Sequence, residues 1–90
     1  MGWETTASGN YSTAMGFRAT ATGVSSTATG ILTVAAGLGS TAMGTYAEVA
    51  ASAPGSFVYG DRSTVGTPSP AVRSISPNQF LVRAAGGAAF

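Results

Sequence analysis

The 90-residue chain contains no cysteine, no histidine and no lysine. Without thiols there is no disulfide framework and no thiolate metal site, and without imidazole the commonest metal ligand and general base are both missing. Charge is scarce: Arg18, Arg62, Arg73 and Arg83 stand against Glu4, Glu48 and Asp61, a net charge of +1 with 8% charged residues. That inventory cannot build a basic patch that neutralises phosphates, so nucleic acid is excluded as an expected partner. No apolar run approaches the ~20 residues of a membrane-spanning helix, and the N-terminus lacks a charged stretch followed by an apolar one. Aromatics make up 9% of residues, alanine is the largest contributor to the 44% hydrophobic fraction, and there are 13 glycines. A short chain without interlocking large side chains, disulfides or a metal points to self-association as its source of stability.

The same absences thin out any catalytic reading. Serine nucleophiles such as Ser56 or Ser63 have neither a histidine nor a lysine to serve as base. The three acids are far apart in sequence. Gly37-Leu38-Gly39-Ser40-Thr41 superficially suggests a phosphate loop, but the P-loop lysine is missing and the spacing is wrong, so turn glycines are the expected reading. No catalytic, cofactor-binding or metal-binding residue is expected, and the chain reads as a non-enzyme. Asp61-Arg62 reads as a turn or an intersubunit ion pair. Trp3, Tyr11 and Tyr46 read as corner packing rather than as ligand-stacking rings.

What the sequence does have is a repeat. Gly2, Gly9, Gly16, Gly23, Gly30, Gly37 and Gly44 fall on a seven-residue clock, and each seven-residue unit carries alanine at its fifth place: Ala7, Ala14, Ala21, Ala28, Ala35 and Ala42. A heptad coiled coil is excluded, because every unit contains glycine together with Thr or Ser and lacks the paired bulky residues of a seam. Within a unit, small residues alternate with Thr, Met, Ser, Val or Ala, which predicts a short strand followed by a glycine turn. Gly9, Gly16, Gly23, Gly30, Gly37 and Gly44 are thus the expected turn glycines. Two units make one 14-residue coil of a flat solenoid, in which stacked coils pair in parallel at ~4.8 Å per coil. Parity supports 14 as the true period, since Met15 and Met43 occur only in even units, while odd units open with Trp3, Phe17 and Ile31, expected to stack at a corner.

From Ser12 to Gly23 the run Ser12-Thr13-Ala14-Met15-Gly16-Phe17-Arg18-Ala19-Thr20-Ala21-Thr22-Gly23 resembles the S-x-A-x-G-x-x-S-x-A-x-G head repeat of trimeric autotransporter adhesins, the YadA-like family, with Ala19 in place of the second serine. Ser26 to Gly37 and Ser40 to Gly44 continue the pattern. The resemblance implies an all-β fold: a left-handed parallel β-roll of 14-residue coils in a homotrimer about a threefold axis. It places Thr13, Met15, Thr27, Thr29, Thr41 and Met43 at that axis, with the threonines more polar than the family's usual aliphatic residues.

Beyond Gly44 the clock fails, and all four prolines, Pro54, Pro68, Pro70 and Pro77, lie in this half. The expected division is a head roll over 1–50 and an intertwined β-strand neck or connector over 51–90. Strands are predicted at Ser56 to Asp61 and Gln79 to Ala84, with a loop from Gly66 to Pro70. Two strands alone are marginal in water, so pairing across subunits is expected, with Phe57, Phe80 and Val82 added to the trimer interface. This second segment also resembles one that follows such repeats in bacterial surface and phage tail-fibre-type proteins. The pattern is interrupted at Phe90, which predicts a longer parent fibre.

These readings combine into a structural or adhesive segment of a trimeric bacterial surface fibre, presenting a surface to host or matrix. It would be extracellular, anchored in the outer membrane through a further C-terminal part, or part of a virion fibre. Its expected partners are two further copies of itself and an extracellular-matrix protein or surface glycan, with no cofactor, no nucleic acid and no membrane contact in this segment. The alternatives are a phage or prophage tail-fibre spacer without its own ligand, or an ice-binding solenoid. The last is disfavoured because Thr20/Thr22 and Thr27/Thr29 belong to opposite parities and their neighbours in register are Ser8, Met15, Ala36 and Met43.

Overall fold

A computed structural model describes residues 2–60 and 72–83. Over these residues the chain forms short strands: β1 (Gly2–Trp3), β2 (Thr6–Ala7), β3 (Thr13–Phe17), β4 (Thr20–Ala21), β5 (Thr27–Ile31), β6 (Val34–Ala35), β7 (Thr41–Thr45), β8 (Ala47–Val49), β9 (Phe57–Gly60), β10 (Val72–Ser74) and β11 (Phe80–Arg83). Odd-numbered strands build one six-stranded sheet in the order β1-β3-β5-β7-β9-β11, and even-numbered strands build a five-stranded sheet in the order β10-β8-β6-β4-β2. All pairings are parallel. The chain therefore crosses from one sheet to the other at each corner and returns one coil further on, a flat β-solenoid of about four turns.

Register confirms the 14-residue period. Thr13 pairs with Thr27 and Thr27 with Thr41, Ala14 with Ala28 and Ala28 with Ala42, and Gly16 with Gly30 and Gly30 with Gly44. In the other sheet Ala7, Ala21 and Ala35 form the matching column, which continues through Val49 to Ser74.

The core lies between the sheets and is made of small residues. Ala19, Ala21, Ala28, Ala35, Ala42, Ala47 and Ala53 are fully buried, and Val49 and Val58 are the largest fully buried apolar side chains among the described residues. Alanine at these inward positions lets the two sheets approach, and each coil buries little by itself, so stacking of neighbours must supply the stability. Serines seal one corner, Ser26 and Ser40 fully buried and Ser12 partly so. Ser12, Ser26 and Ser40 each donate a hydroxyl hydrogen bond to the carbonyl of the glycine three residues earlier, at 2.6, 2.7 and 2.6 Å. A single buried polar atom is left over: the Thr33 hydroxyl has no partner among the described residues.

The corners use only half of the residues that the glycine clock nominates. Gly9, Gly23 and Gly37 open turns, but Gly16, Gly30 and Gly44 lie inside strands β3, β5 and β7. Their role there is close approach: a Cβ on Gly30 would lie 2.0 Å from the Gly44 carbonyl oxygen, and the residue's φ of +117° suits only glycine. The left-handed corner residues are Glu4, Arg18, Leu32 and Tyr46 on one side, and Tyr11, Ser25, Gly39, Gly55 and Asn78 on the other. Each coil ties its corner to the one before, with the Arg18, Leu32 and Tyr46 amides donating to the Trp3, Phe17 and Ile31 carbonyls at 2.8 to 2.9 Å. The repeated hydrogen bond over-determines a conformation that costs a non-glycine residue ~1–3 kcal/mol.

The second half continues the roll. Phe57–Gly60 and Phe80–Arg83 form strands where strands were predicted, and within the chain they pair with each other and, through β9, with β7. The reason is that Ser56-Phe57-Val58-Tyr59-Gly60 repeats the Ser-x-small-x-Gly alternation of Ser40 to Gly44, displaced by a two-residue insertion, Ala51-Ser52, at the preceding corner. Both sheets run across residue 50 without interruption. The predicted loop from Gly66 to Pro70, the Asp61-Arg62 pair, and Ser63 and Ala84 lie outside the described residues.

Candidate functional site: the outer face of the six-stranded sheet

Strand alternation sorts the residues of the large sheet into two sets. Ala14, Ala28, Ala42 and Val58 point inward and are buried, with Leu81 packed against them. Their neighbours point outward, in columns set by the ladder. One column runs Thr13, Thr27, Thr41, Phe57, Phe80 and the next runs Met15, Thr29, Met43, Tyr59, Val82. All nine residues expected at a subunit interface therefore share this face: Thr13, Met15, Thr27, Thr29, Thr41, Met43, Phe57, Phe80 and Val82. None of them carries a charge.

Sequence reasoning missed Tyr59, which completes the second column between Met43 and Val82. The signal was available, since Tyr59 stands two residues from Phe57 and must share its face at period two. The face has an apolar character unusual for a solvated surface: Met15 is 42% exposed, Tyr59 38%, Val82 40% and Phe80 65%. The Phe57 and Phe80 rings meet edge-on with centroids 5.2 Å apart.

A third column, Trp3, Phe17, Ile31, Thr45, borders this face at the corner. The stacking expected of its first members is present, with Trp3 and Phe17 ring centroids 4.9 Å apart. Arg18 lies over the Phe17 ring at 5.7 Å and donates from Nε to Glu4 Oε1 at 2.6 Å. The hydrogen bond to Glu4, and then the charge of that carboxylate, push the Arg18 guanidinium above its ordinary pKa. The group is fully charged at any physiological pH, so the pair acts as a surface clip and not as a titrating device. Tyr46 occupies the same corner row three coils on from Glu4, whereas Tyr11 projects from the opposite corner and is nearly fully exposed.

The five-stranded sheet shows a different outer surface, with Thr6, Thr20, Val34, Glu48 and Arg73 in one row. Glu48 and Arg73 are paired at 2.9 Å. No three acidic, histidine or cysteine side chains come together as a metal site among the described residues.

A flat parallel β-solenoid with a small-residue core, serine-sealed corners and one uncharged, partly apolar sheet face defines a repeat protein of the β-roll type. The YadA head domain repeat model matches residues 1–19 and 21–47 as two copies, and the chain belongs to that family. Neither the curated proteins nor the solved structures yielded a match. The family is that of a structural adhesin repeat of surface proteins.

Proposed function

We propose that this chain is the structural, non-catalytic head segment of a trimeric bacterial surface fibre, in which three left-handed rolls turn the outer faces of their six-stranded sheets toward a shared threefold axis and present the remaining surface to host or matrix. The observation that carries this reading is the single uncharged face on which Met15, Met43, Phe57, Tyr59, Phe80 and Val82 are exposed together. Parallel sheets are ordinarily covered on both faces, and among the described residues this one is covered on the inside only. The small core gives a second reason, because a chain with so little buried apolar volume gains most by adding an intersubunit core to its own.

Sedimentation or light scattering tests the assembly. The expected mass is three times the 8.8 kDa of the chain, and a stable monomer at micromolar concentration would sink the proposal. Met15→Glu combined with Met43→Glu is expected to dissociate the trimer, because the pair would put three copies of two carboxylates into a face without a countercharge. A fibre spacer without a ligand keeps the same assembly, and the short polar side chains and single ion pair on the outer face of the five-stranded sheet favour it as the second reading. Binding of the assembled chain to collagen, other matrix proteins or glycan arrays separates the two.

A further inference from the structure

The outer face of the large sheet repeats along the stack of coils and then ceases to. From β3 to β7 its two columns read Thr13, Thr27, Thr41 and Met15, Thr29, Met43. In β9 and β11 the same columns read Phe57, Phe80 and Tyr59, Val82. A face that repeats offers equivalent seats: the threonine row at every ~4.8 Å step and the methionine row at every second one. Sliding a partner by two coils brings the surroundings of Thr41 and Met43 to where those of Thr13 and Met15 had been, so the threonine and methionine rows leave the register of association open. The aromatic rows occur once along the face, and a slip would strip them of their contacts.

The occupant of this face is a second copy of the chain. Its residues are uncharged, so a charged partner would bury ions without countercharge. A surface stepped in ~4.8 Å rows is matched row for row by another surface with the same step, and this chain is such a surface. We infer that Phe57, Tyr59, Phe80 and Val82 form the anchor and the register lock between copies, while the Thr/Met rows upstream align passively. The inference rests on the trimeric reading above and adds to it which rows hold the copies together and fix their relative height. Aromatic residues that fill a desolvated contact carry a disproportionate share of association energy, whereas short hydroxyl side chains carry little.

The test uses the full chain and the double variant Phe57→Thr/Phe80→Thr. Threonine is what the same column already holds at Thr13, Thr27 and Thr41, so strand propensity and coil pairing are retained, as circular dichroism would verify. The concentration at which the assembly half-dissociates is expected to rise about a hundredfold or more in this variant, against less than about tenfold for Met15→Thr/Met43→Thr. Register is read separately, because the chain has no cysteine of its own. Copies carrying Thr13→Cys and copies carrying Thr41→Cys are refolded together and oxidised. Only same-position disulfides are expected with the aromatic rows intact, and disulfides joining position 13 to position 41 are expected once both phenylalanines are replaced, at a concentration that keeps that variant assembled. A monomeric wild type would overturn the trimeric reading itself. An assembled wild type whose double variant dissociates at the same concentration and keeps same-position disulfides would overturn this inference alone. Should the double variant unfold, Thr41→Phe decides by extending the aromatic column one row: a midpoint at least about tenfold lower supports the inference, and an unchanged or higher one refutes it.

Discussion

Residues 2–45 and the coils that follow them solve the same geometric problem with different material. In the first region the spacing between equivalent strands of the large sheet is 14 residues, from Thr13 to Thr27 and again to Thr41. In the second it is 16 residues to Phe57 and 23 to Phe80, yet the strands still pair in parallel. The inward column changes from Ala14, Ala28 and Ala42 to Val58 and Leu81, and the outward columns change from threonine and methionine to three aromatic rings and Val82. Corner closure changes too. Where Ser26 and Ser40 bond the carbonyl of a glycine three residues back, the last corner is organised by Gln79, whose side-chain oxygen accepts from Ser74 Oγ at 3.0 Å and from the Ile75 and Ser76 amides at 3.2 Å. The difference teaches that this fold is specified by its ladders and by the alternation within each strand, and that length is absorbed at corners.

That comparison can be broken most severely in the glycine column. Gly30→Ala places a Cβ against the Gly44 carbonyl in a backbone region closed to alanine, and is expected to lower stability by at least about 3 kcal/mol in denaturant unfolding at fixed protein concentration. Gly39→Ala is its control, since that residue has a φ of +62° and open space around it, and should lose only about 1 kcal/mol. A smaller effect probes the inward column. Val58→Ala is expected to lose about 2 kcal/mol by leaving a cavity, while Ala28→Val should lose a similar ~1–3 kcal/mol by overpacking, so one side-chain size would be wrong in both directions. If Ala28→Val were neutral in the same unfolding assay, the two regions would have the same interior width and the contrast drawn above would fail. The smallest expected effect sharpens the first region alone. Thr33 stands where Ala19 and Ala47 stand in adjacent coils, with a buried hydroxyl that finds no partner among the described residues. Thr33→Val keeps the shape and is expected to gain about 1 kcal/mol.

The repeat, its period and its two-sheet parity were legible in the sequence because glycine and alanine recur at fixed places and period-two alternation leaves one assignment of faces. Six of the nine face residues came from the family resemblance and three from the expectation that the later strands need a partner, and all nine lie on one side of one sheet. The corners were not legible. Arg18, Leu32 and Tyr46 take a left-handed conformation with no glycine to advertise it, since the preference is imposed by the hydrogen bond from each corner to the coil before it and not by the residue itself. Glycine misled in the opposite sense, as Gly16, Gly30 and Gly44 answer to a neighbouring backbone and not to a turn. Continuation of the sheets past residue 50 was hidden by the two-residue insertion at Ala51-Ser52, which breaks the clock without breaking the ladder. Counting from Ser56 instead of from Gly44 would have recovered it.

The identical spacing of the first three coils also bears on how such a molecule changes over generations. Loss of residues 18–31 would join Phe17 directly to Leu32, the residue that already occupies the equivalent corner, and every column downstream would keep its sheet and its face. Loss of residues 18–24 would instead transfer all later strands to the opposite sheet and carry Met43 with them. Near-identical coils are natural partners for unequal recombination, and an exchange in register adds or removes multiples of 14 residues, whereas any other length has to be absorbed at a corner. A lineage can thus adjust the reach of this segment in increments of ~4.8 Å without having to find a new fold.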